Sequence, residues 1–302
     1  MTAKYKIIFF LPIALIIGMV LKMVLPTPNL NDAYRDYCWV KKTHSTEQFN
    51  ILAIGDSRIY KGVNPTYLLD NNSEFNAVNL GYSSAGYSKE YLSFVSKRIK
   101  EKGKRVILCG ITPYSFTPEA LKNEHYNSFY DKNKKEVYKM LYLSGYLKNF
   151  PRYSPNEIWD YFTDAPVTHL YYHDFKENGW VESYKIPFDS TAGLEPYRIN
   201  FIDNTVHKNA EEEYLKWVKD MSAEGIKIVG FRPPSTLAME QLEDSLSGLD
   251  YSKFINEFKQ MGGVWLTFSL QDYKSYDGSH LHYESANKFT KNLAQKIKKY
   301  IK

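Results

Sequence analysis

The feature that most constrains this chain is a series of short apolar runs that end at glycine or at a turn and alternate with segments of helical spacing. Asn50–Ile54 ends at Gly55, Phe75–Leu80 at Gly81 and Arg105–Cys109 at Gly110, and two further runs, Ile226–Phe231 and Val264–Phe268, follow near the C-terminus. Runs of this length and flanking read as buried strands. Between Ser88 and Lys102, Tyr91, Leu92, Val95 and Ile99 keep helical spacing, with Gly103 as a stop signal. A second helix is expected from about Val206 to Ala223, where Val206, Ala210, Tyr214, Trp217, Val218 and Met221 share one face, and others over Tyr251–Gln260 and about Ser285–Ile301.

Five strands alternating with helices predict an α/β fold, a flavodoxin-like doubly wound five-stranded parallel sheet with helices on both faces. Residues 113–204 break the alternation. They are rich in Tyr, Asn, Pro and His, and read as a large irregular or helical insertion after the third strand that covers the active-site face. At 302 residues and 43% hydrophobic content the chain supports one large core, assigned to residues 49–302 with the insertion included.

Ile7–Leu25 is apolar apart from Lys22, about one bilayer crossing, and Lys4 and Lys6 precede it. Residues 1–26 are therefore expected to form an N-terminal membrane anchor, with the N-terminus cytoplasmic and the remainder extracytoplasmic. A cleaved signal peptide has the same charge layout, but no small-x-small cleavage site follows the apolar run. Residues 27–48 lack clear periodicity and read as a juxtamembrane connector.

Three of the five excess positive charges, Lys4, Lys6 and Lys22, precede the first acidic residue, Asp32, which leaves too balanced a remainder to imply a nucleic-acid partner. Cys38 and Cys109 are the two cysteines, one in the connector and one in an expected strand, so a disulfide framework is excluded. No CxxC or His/Cys cluster suggests a metal site, and no cofactor is implied.

Ligands of such sheets bind beyond the carboxyl ends of the strands, and that is where the chemically informative residues fall. Strand one ends in Gly55-Asp56-Ser57, strand two in Asn79-Leu80-Gly81 and strand three in Gly110-Ile111-Thr112; the last leads to Asp277-Gly278-Ser279-His280. In order and spacing these blocks resemble the GDSL/SGNH hydrolase superfamily: a GDS serine near the N-terminus, a glycine, a G-x-N asparagine and a late D-x-x-H. The resemblance covers residues 50–112 and 226–302. It extends to the membrane-tethered branch, whose members move acetyl or D-alanyl groups onto polysaccharide or lipoteichoic acid.

A serine hydroxyl needs a base within hydrogen-bond reach, and the base needs an orienting partner. His280 as base, oriented by Asp277, supplies both to Ser57 if the D-x-x-H segment forms a tight turn. Ser57 also reads as an ordinary helix N-cap, Asp277 and His280 as a solvated loop, and His282 as a rival base. The resemblance assigns the oxyanion donors to the backbone N–H of Ser57, the backbone N–H of Gly81 and the G-x-N side chain, where this chain has Thr112, with one hydroxyl donor; the same residue also reads as the start of a turn before Pro113. Arg58, next to the nucleophile, and Arg232, before Pro233 and Pro234, are candidate binders of an anionic substrate group; Arg58 equally reads as the partner of an insertion carboxylate. His169, His173 and the Asn178-Gly179-Trp180 turn lie in an aromatic stretch suited to an acceptor groove or to surface packing.

The function these readings imply is extracytoplasmic, serine-dependent acyl transfer or ester hydrolysis on O-acyl groups of a cell-surface glycan, through an acyl-enzyme on Ser57. Transfer would add a multi-pass acyl-donating membrane partner. A non-catalytic glycan-binding or assembly protein that retains the fold is the alternative, favoured by Thr112 and Arg58. A cytosolic lipase-like enzyme is a third class.

Overall fold

The computed structural model describes residues 3–24, 32–69, 74–144, 159, 162–163 and 168–301. Its centre is a five-stranded, all-parallel sheet built from β1 (Ile51–Ile54), β2 (Ala77–Asn79), β3 (Val106–Gly110), β6 (Lys227–Phe231) and β7 (Val264–Leu266), in the order β2-β1-β3-β6-β7. Every residue of β1 and β3 is buried, as strands covered on both faces must be. Ile51 pairs with Val106 and Ile54 with Cys109, and Val106 pairs in turn with Lys227.

The two-residue period of the strands divides the core into two layers. Leu52, Ile54, Ile107, Cys109 and Ile228 face one side, against Tyr91, Leu92 and Val95 of helix Lys89–Arg98, Tyr214 and Val218 of helix Lys208–Ala223, and Phe254 and Phe258 of helix Tyr251–Gln260. Ile51, Ala53, Val106, Leu108, Val229 and Phe231 face the other, against Phe289, Leu293 and Ile297 of helix Tyr283–Ile301. Each fully buried side chain of this kind stabilises the fold by about 1.5–3 kcal/mol. The flavodoxin-like doubly wound arrangement expected from the alternation is the one found.

Because β1 has β2 on one side and β3 on the other, the chain reverses its direction of winding between β1 and β3. That switch point opens a crevice at the strands' carboxyl ends. Residues 55–57 follow β1 there, and residues 111–112 follow β3.

Three segments differ from the sequence-based expectation. Within the insertion, Leu170–Phe175 (β4) and Val181–Ile186 (β5) form an antiparallel hairpin outside the main sheet. Its turn docks on the end of β2 through a hydrogen bond from Asn79 N–H to the Asn178 carbonyl, 2.9 Å, and Trp180 Nε1 donates to the Lys61 carbonyl, 2.9 Å. The alternation of these two strands is weak because the hairpin leaves large apolar residues such as Tyr171 and Ile186 exposed. Helix Leu237–Leu246, capped by Thr236, follows the paired prolines, where the sequence-based expectation places no helix. Asp32–His44, read as part of an aperiodic connector, is a helix packed on the domain: Trp39 is 4% exposed, with Tyr60, Tyr82 and His125 rings around it.

The membrane anchor requires correction. Ala3–Val24 is helical, but among the described residues no helix is long and apolar enough to cross a membrane. Pro12 sits inside that helix, where it removes a backbone donor. A single-pass topology and an extracytoplasmic placement therefore lose their support. The junction between anchor and connector, residues 25–31, lies outside the described residues.

Candidate active site

Ser57 is the first residue of a short helix, Ser57–Gly62, that starts directly after β1. The turn between them is tight. Gly55 sits at φ +142°, and a Cβ there would meet Ile59 Cγ1 at 2.7 Å and the Gly110 carbonyl oxygen at 2.9 Å, so only glycine brings the chain from strand to helix this abruptly. Asp56 is the N-cap, accepting from the Arg58 N–H at 2.9 Å. The alternative reading of Ser57 as the cap is thereby settled against: the neighbouring aspartate caps, and the serine side chain is left for other partners.

Those partners come from the loop before the last helix. His280 Nε2 lies 2.8 Å from Ser57 Oγ, and His280 Nδ1 lies 2.7 Å from Asp277 Oδ2. The other carboxylate oxygen of Asp277 accepts from the backbone N–H of Ser279, 2.9 Å, and of His280, 2.7 Å. Gly278, at φ +90°, makes that turn possible. An ionised carboxylate only accepts, so Nδ1 must donate to it and Nε2 presents its lone pair to the serine hydroxyl.

The surroundings maintain these states. Burial opposes ionisation of Asp277, but the adjacent His280 ring and the hydrogen bonds it receives outweigh this and hold its carboxyl far below the usual range. Burial of His280 pushes its pKa down, the Lys61 charge pushes the same way, and Asp277 pushes against both; the net shift is downward, so the ring is neutral and basic at neutral pH. Tyr276 stacks beside it, with centroids 5.9 Å apart. His282, the rival base, is turned toward Tyr184, Tyr283 and Glu284 and lies outside the cavity.

A cavity of about 180 Å³ opens over this group, lined by Ser57 and His280 together with Lys61, Ser83, Tyr114 and Tyr197 among others. Tyr197 belongs to helix Leu194–Asn200 of the insertion. The insertion thus closes one wall of the crevice and also clamps its loop: Gly193 N–H donates to the Asp277 carbonyl, 2.7 Å.

The remaining candidates are placed differently. Thr112 is fully buried, and its hydroxyl donates to Asp56 Oδ2 at 2.8 Å and contacts Ser115 Oγ at 2.8 Å. It supports the cap of the Ser57 helix and does not line the cavity, in contrast to the expected donor role. The Gly81 N–H is engaged by Asn79 Oδ1, 2.9 Å. Arg58 does not face a substrate: its guanidinium, 1% exposed, forms a bidentate pair with Glu243 at 2.6 and 3.2 Å and donates from Nε to Ser279 Oγ at 2.9 Å. Its carboxylate partner comes from helix Leu237–Leu246 and not from the insertion. Arg232 shares Glu243, 3.0 Å, pairs with Asp244, and stacks over Tyr251 beside a different cavity. Both arginines are therefore ion-paired within the fold and neither lines the cavity over Ser57, which corrects the expectation that they meet a substrate there. A planar fork that can saturate a carboxylate explains why arginine occupies these positions.

His169 is exposed and lies outside the cavity, whereas His173 on β4 packs its ring on Tyr171, centroids 4.0 Å apart, with burial pushing its pKa down to about 3. Among the described residues no cluster of three or more His, Cys, Asp or Glu side chains stands at metal-binding distance.

Sequence reasoning missed Lys61, Tyr197 and the Ser83–Ser84 wall. Lys61 was legible in principle, since a helix after Ser57 puts the residue four positions on along the same face. Tyr197 carried no such signal, because its position depends on how the insertion folds back.

No family model matches the chain, and no curated protein does. Among solved structures, the chain is similar to one from Streptococcus pneumonia provisionally described as a platelet activating factor, at 11% identity and a TM-score of 0.37, covering 96% of this chain and 99% of that one.

Proposed function

We propose that this protein is a serine esterase or acyltransferase of the GDSL/SGNH type, acting through an acyl-enzyme on Ser57. The observation that carries this reading is the hydrogen-bonded series Asp277–His280–Ser57 at the switch point of a parallel sheet, assembled from segments 223 positions apart. The Ser57 hydroxyl attacks the acyl carbonyl while its proton passes to His280 Nε2. The intermediate collapses, the leaving alkoxide takes that proton, and the acyl group stays on Ser57 Oγ. Water or an acceptor hydroxyl, deprotonated by the same ring, then releases it.

The cavity volume suits a short acyl group better than a lipid chain. Tyr114 and Tyr197 line its wall, and aromatic side chains of this kind suit contact with the apolar C–H groups of a sugar, which favours a glycan O-acyl ester as substrate. A folded sample treated with a serine-directed fluorophosphonate should be labelled at Ser57, and should hydrolyse 4-nitrophenyl acetate; Ser57→Ala should lose both. A folded protein that does neither sinks the reading.

One observation favours the second reading, a non-catalytic glycan-binding protein: Gly81 N–H and the Thr112 hydroxyl, assigned by resemblance to the oxyanion, are both engaged elsewhere. Saccharide binding without fluorophosphonate labelling would establish it.

A further inference from the structure

An oxyanion needs positive charge or N–H donors aimed at it, and two of the three expected donors are committed to other partners. The same cavity holds a cation. Lys61 lies four residues beyond Ser57 on the same short helix, is 4% exposed, and lines the cavity with Ser57 and His280.

Its ammonium is held by aromatic groups. Nζ donates to Tyr171 Oη at 2.6 Å and lies 5.2 and 5.5 Å from the ring centroids of Tyr171 and Tyr60. Among the described residues no carboxylate stands within salt-bridge distance of it, unlike Arg58, which pairs with Glu243, and Arg232, which pairs with Glu243, Asp244 and Glu240. An ammonium carries three N–H donors; Tyr171 takes one, and the Tyr60 hydroxyl is within reach of a second. Beside burial, its charge also pushes the His280 pKa down. A buried cation without a counter-ion is costly to maintain, and the cost is offset where negative charge forms beside it.

We infer that Lys61 supplies the electrostatic stabilisation of the tetrahedral intermediate, together with the Ser57 N–H, in place of the Gly81 and Thr112 donors assigned by resemblance. This rests on the serine acyl-enzyme reading. As the Ser57 Oγ–carbon bond forms and the proton moves to His280, the carbonyl π pair shifts onto oxygen, facing the ammonium. On collapse the pair returns, the bond to the leaving oxygen breaks, and His280 delivers the proton to it. Lys61 stays protonated throughout.

The test uses the full chain and 4-nitrophenyl acetate, a substrate without an anionic acyl or alcohol substituent for Lys61 to bind in the ground state. Lys61→Met is expected to lower kcat by about a hundredfold with KM little changed, because the charge it meets exists only in the transition state. Lys61→Arg should recover most of that loss. Lys61→Gln, which keeps a polar group against Tyr171, covers the case in which the methionine variant does not fold. The neutral variants should also move the acid limb of the pH profile upward, since they remove a charge that depresses His280; Lys61→Arg should not. Neutral variants that retain kcat within threefold while Ser57→Ala is inactive would overturn the inference and leave the serine reading standing. Equal losses in the methionine and arginine variants, or a rise in KM alone, would overturn it as well. Absence of any Ser57-dependent turnover or labelling in the unmodified protein would remove the serine reading itself, and the inference with it.

Discussion

Arg58 and Glu243, 185 positions apart in the chain, form a bidentate ion pair at 2.6 and 3.2 Å in which both side chains are almost entirely withdrawn from water. The pair joins the helix that carries Ser57 to helix Leu237–Leu246, and Arg58 Nε extends the link to Ser279, the neighbour of His280. Ser279 Oγ in turn donates to Tyr197 Oη at 2.6 Å. One guanidinium thus ties the Ser57 helix, the His280 loop and the insertion together.

Removing one partner of such a pair strands a buried charge. Glu243→Ala leaves both Arg58 and Arg232 without their shared carboxylate, so a loss of about 3–5 kcal/mol is expected. Denaturant unfolding monitored by tryptophan fluorescence measures it. A loss below about 1 kcal/mol would show that the network is dispensable.

Thr112→Val separates support from catalysis. The hydroxyl it removes caps a buried Asp56 oxygen, so about 1–3 kcal/mol of stability should be lost. Turnover should fall by less than about tenfold, whereas deletion of a true oxyanion donor costs about a hundred- to a thousandfold. Ester hydrolysis at a temperature well below the midpoint of unfolding distinguishes the two.

Asp277→Asn exchanges an acceptor-only carboxylate for an amide, which no longer fixes Nδ1 of His280 as the donor. A fall in kcat of about a thousandfold or more is expected, with the fold intact. Loss of the negative charge also removes the group that supports the His280 cation, so its pKa should drop further.

The pH dependence follows from His280. Facing the ring are Asp277, which favours its cation, and Lys61 and Arg58, which with burial oppose it; Tyr276 is stacked alongside. The folded pKa lies below the ordinary histidine value, so the ring remains a base on moderate acidification. The acid limb of kcat/KM should therefore lie below about pH 6.5. The same shift makes the unfolded chain the better proton acceptor in this range: the stability it contributes is complete above about pH 6.5 and is lost as pH falls toward the folded value. Asp277, depressed as well, adds a loss in the same direction at still lower pH. A stability that rose on acidification from pH 7 to pH 5 would contradict this assignment.

The sheet was legible because strands buried on both faces, and helices with one buried face, leave period and length in the chain. Ile51–Ile54 and Tyr251–Gln260 show it to within a residue. The segment Asp277–His280 was legible for a local reason: a carboxylate three residues before a histidine, with glycine between, can close on itself. By contrast, the roles of Arg58, Arg232, Thr112 and Lys61 depend on partners supplied by other segments: Glu243, Asp56 and Tyr171. A side chain's type states what it can bond to, and only packing decides which partner arrives; thus two arginines expected at a substrate are ion-paired with carboxylates, and Lys61 lines the cavity that holds Ser57. The apolar run of the first residues shows the same boundary, since composition alone suggested a membrane span that the described helix does not provide. The sequence by itself determined the sheet and the approximate place of the candidate site, because hydrophobic period and turn residues act locally. The tertiary structure decided which polar groups are satisfied internally and which remain for a substrate, because that depends on distances between residues far apart in the chain.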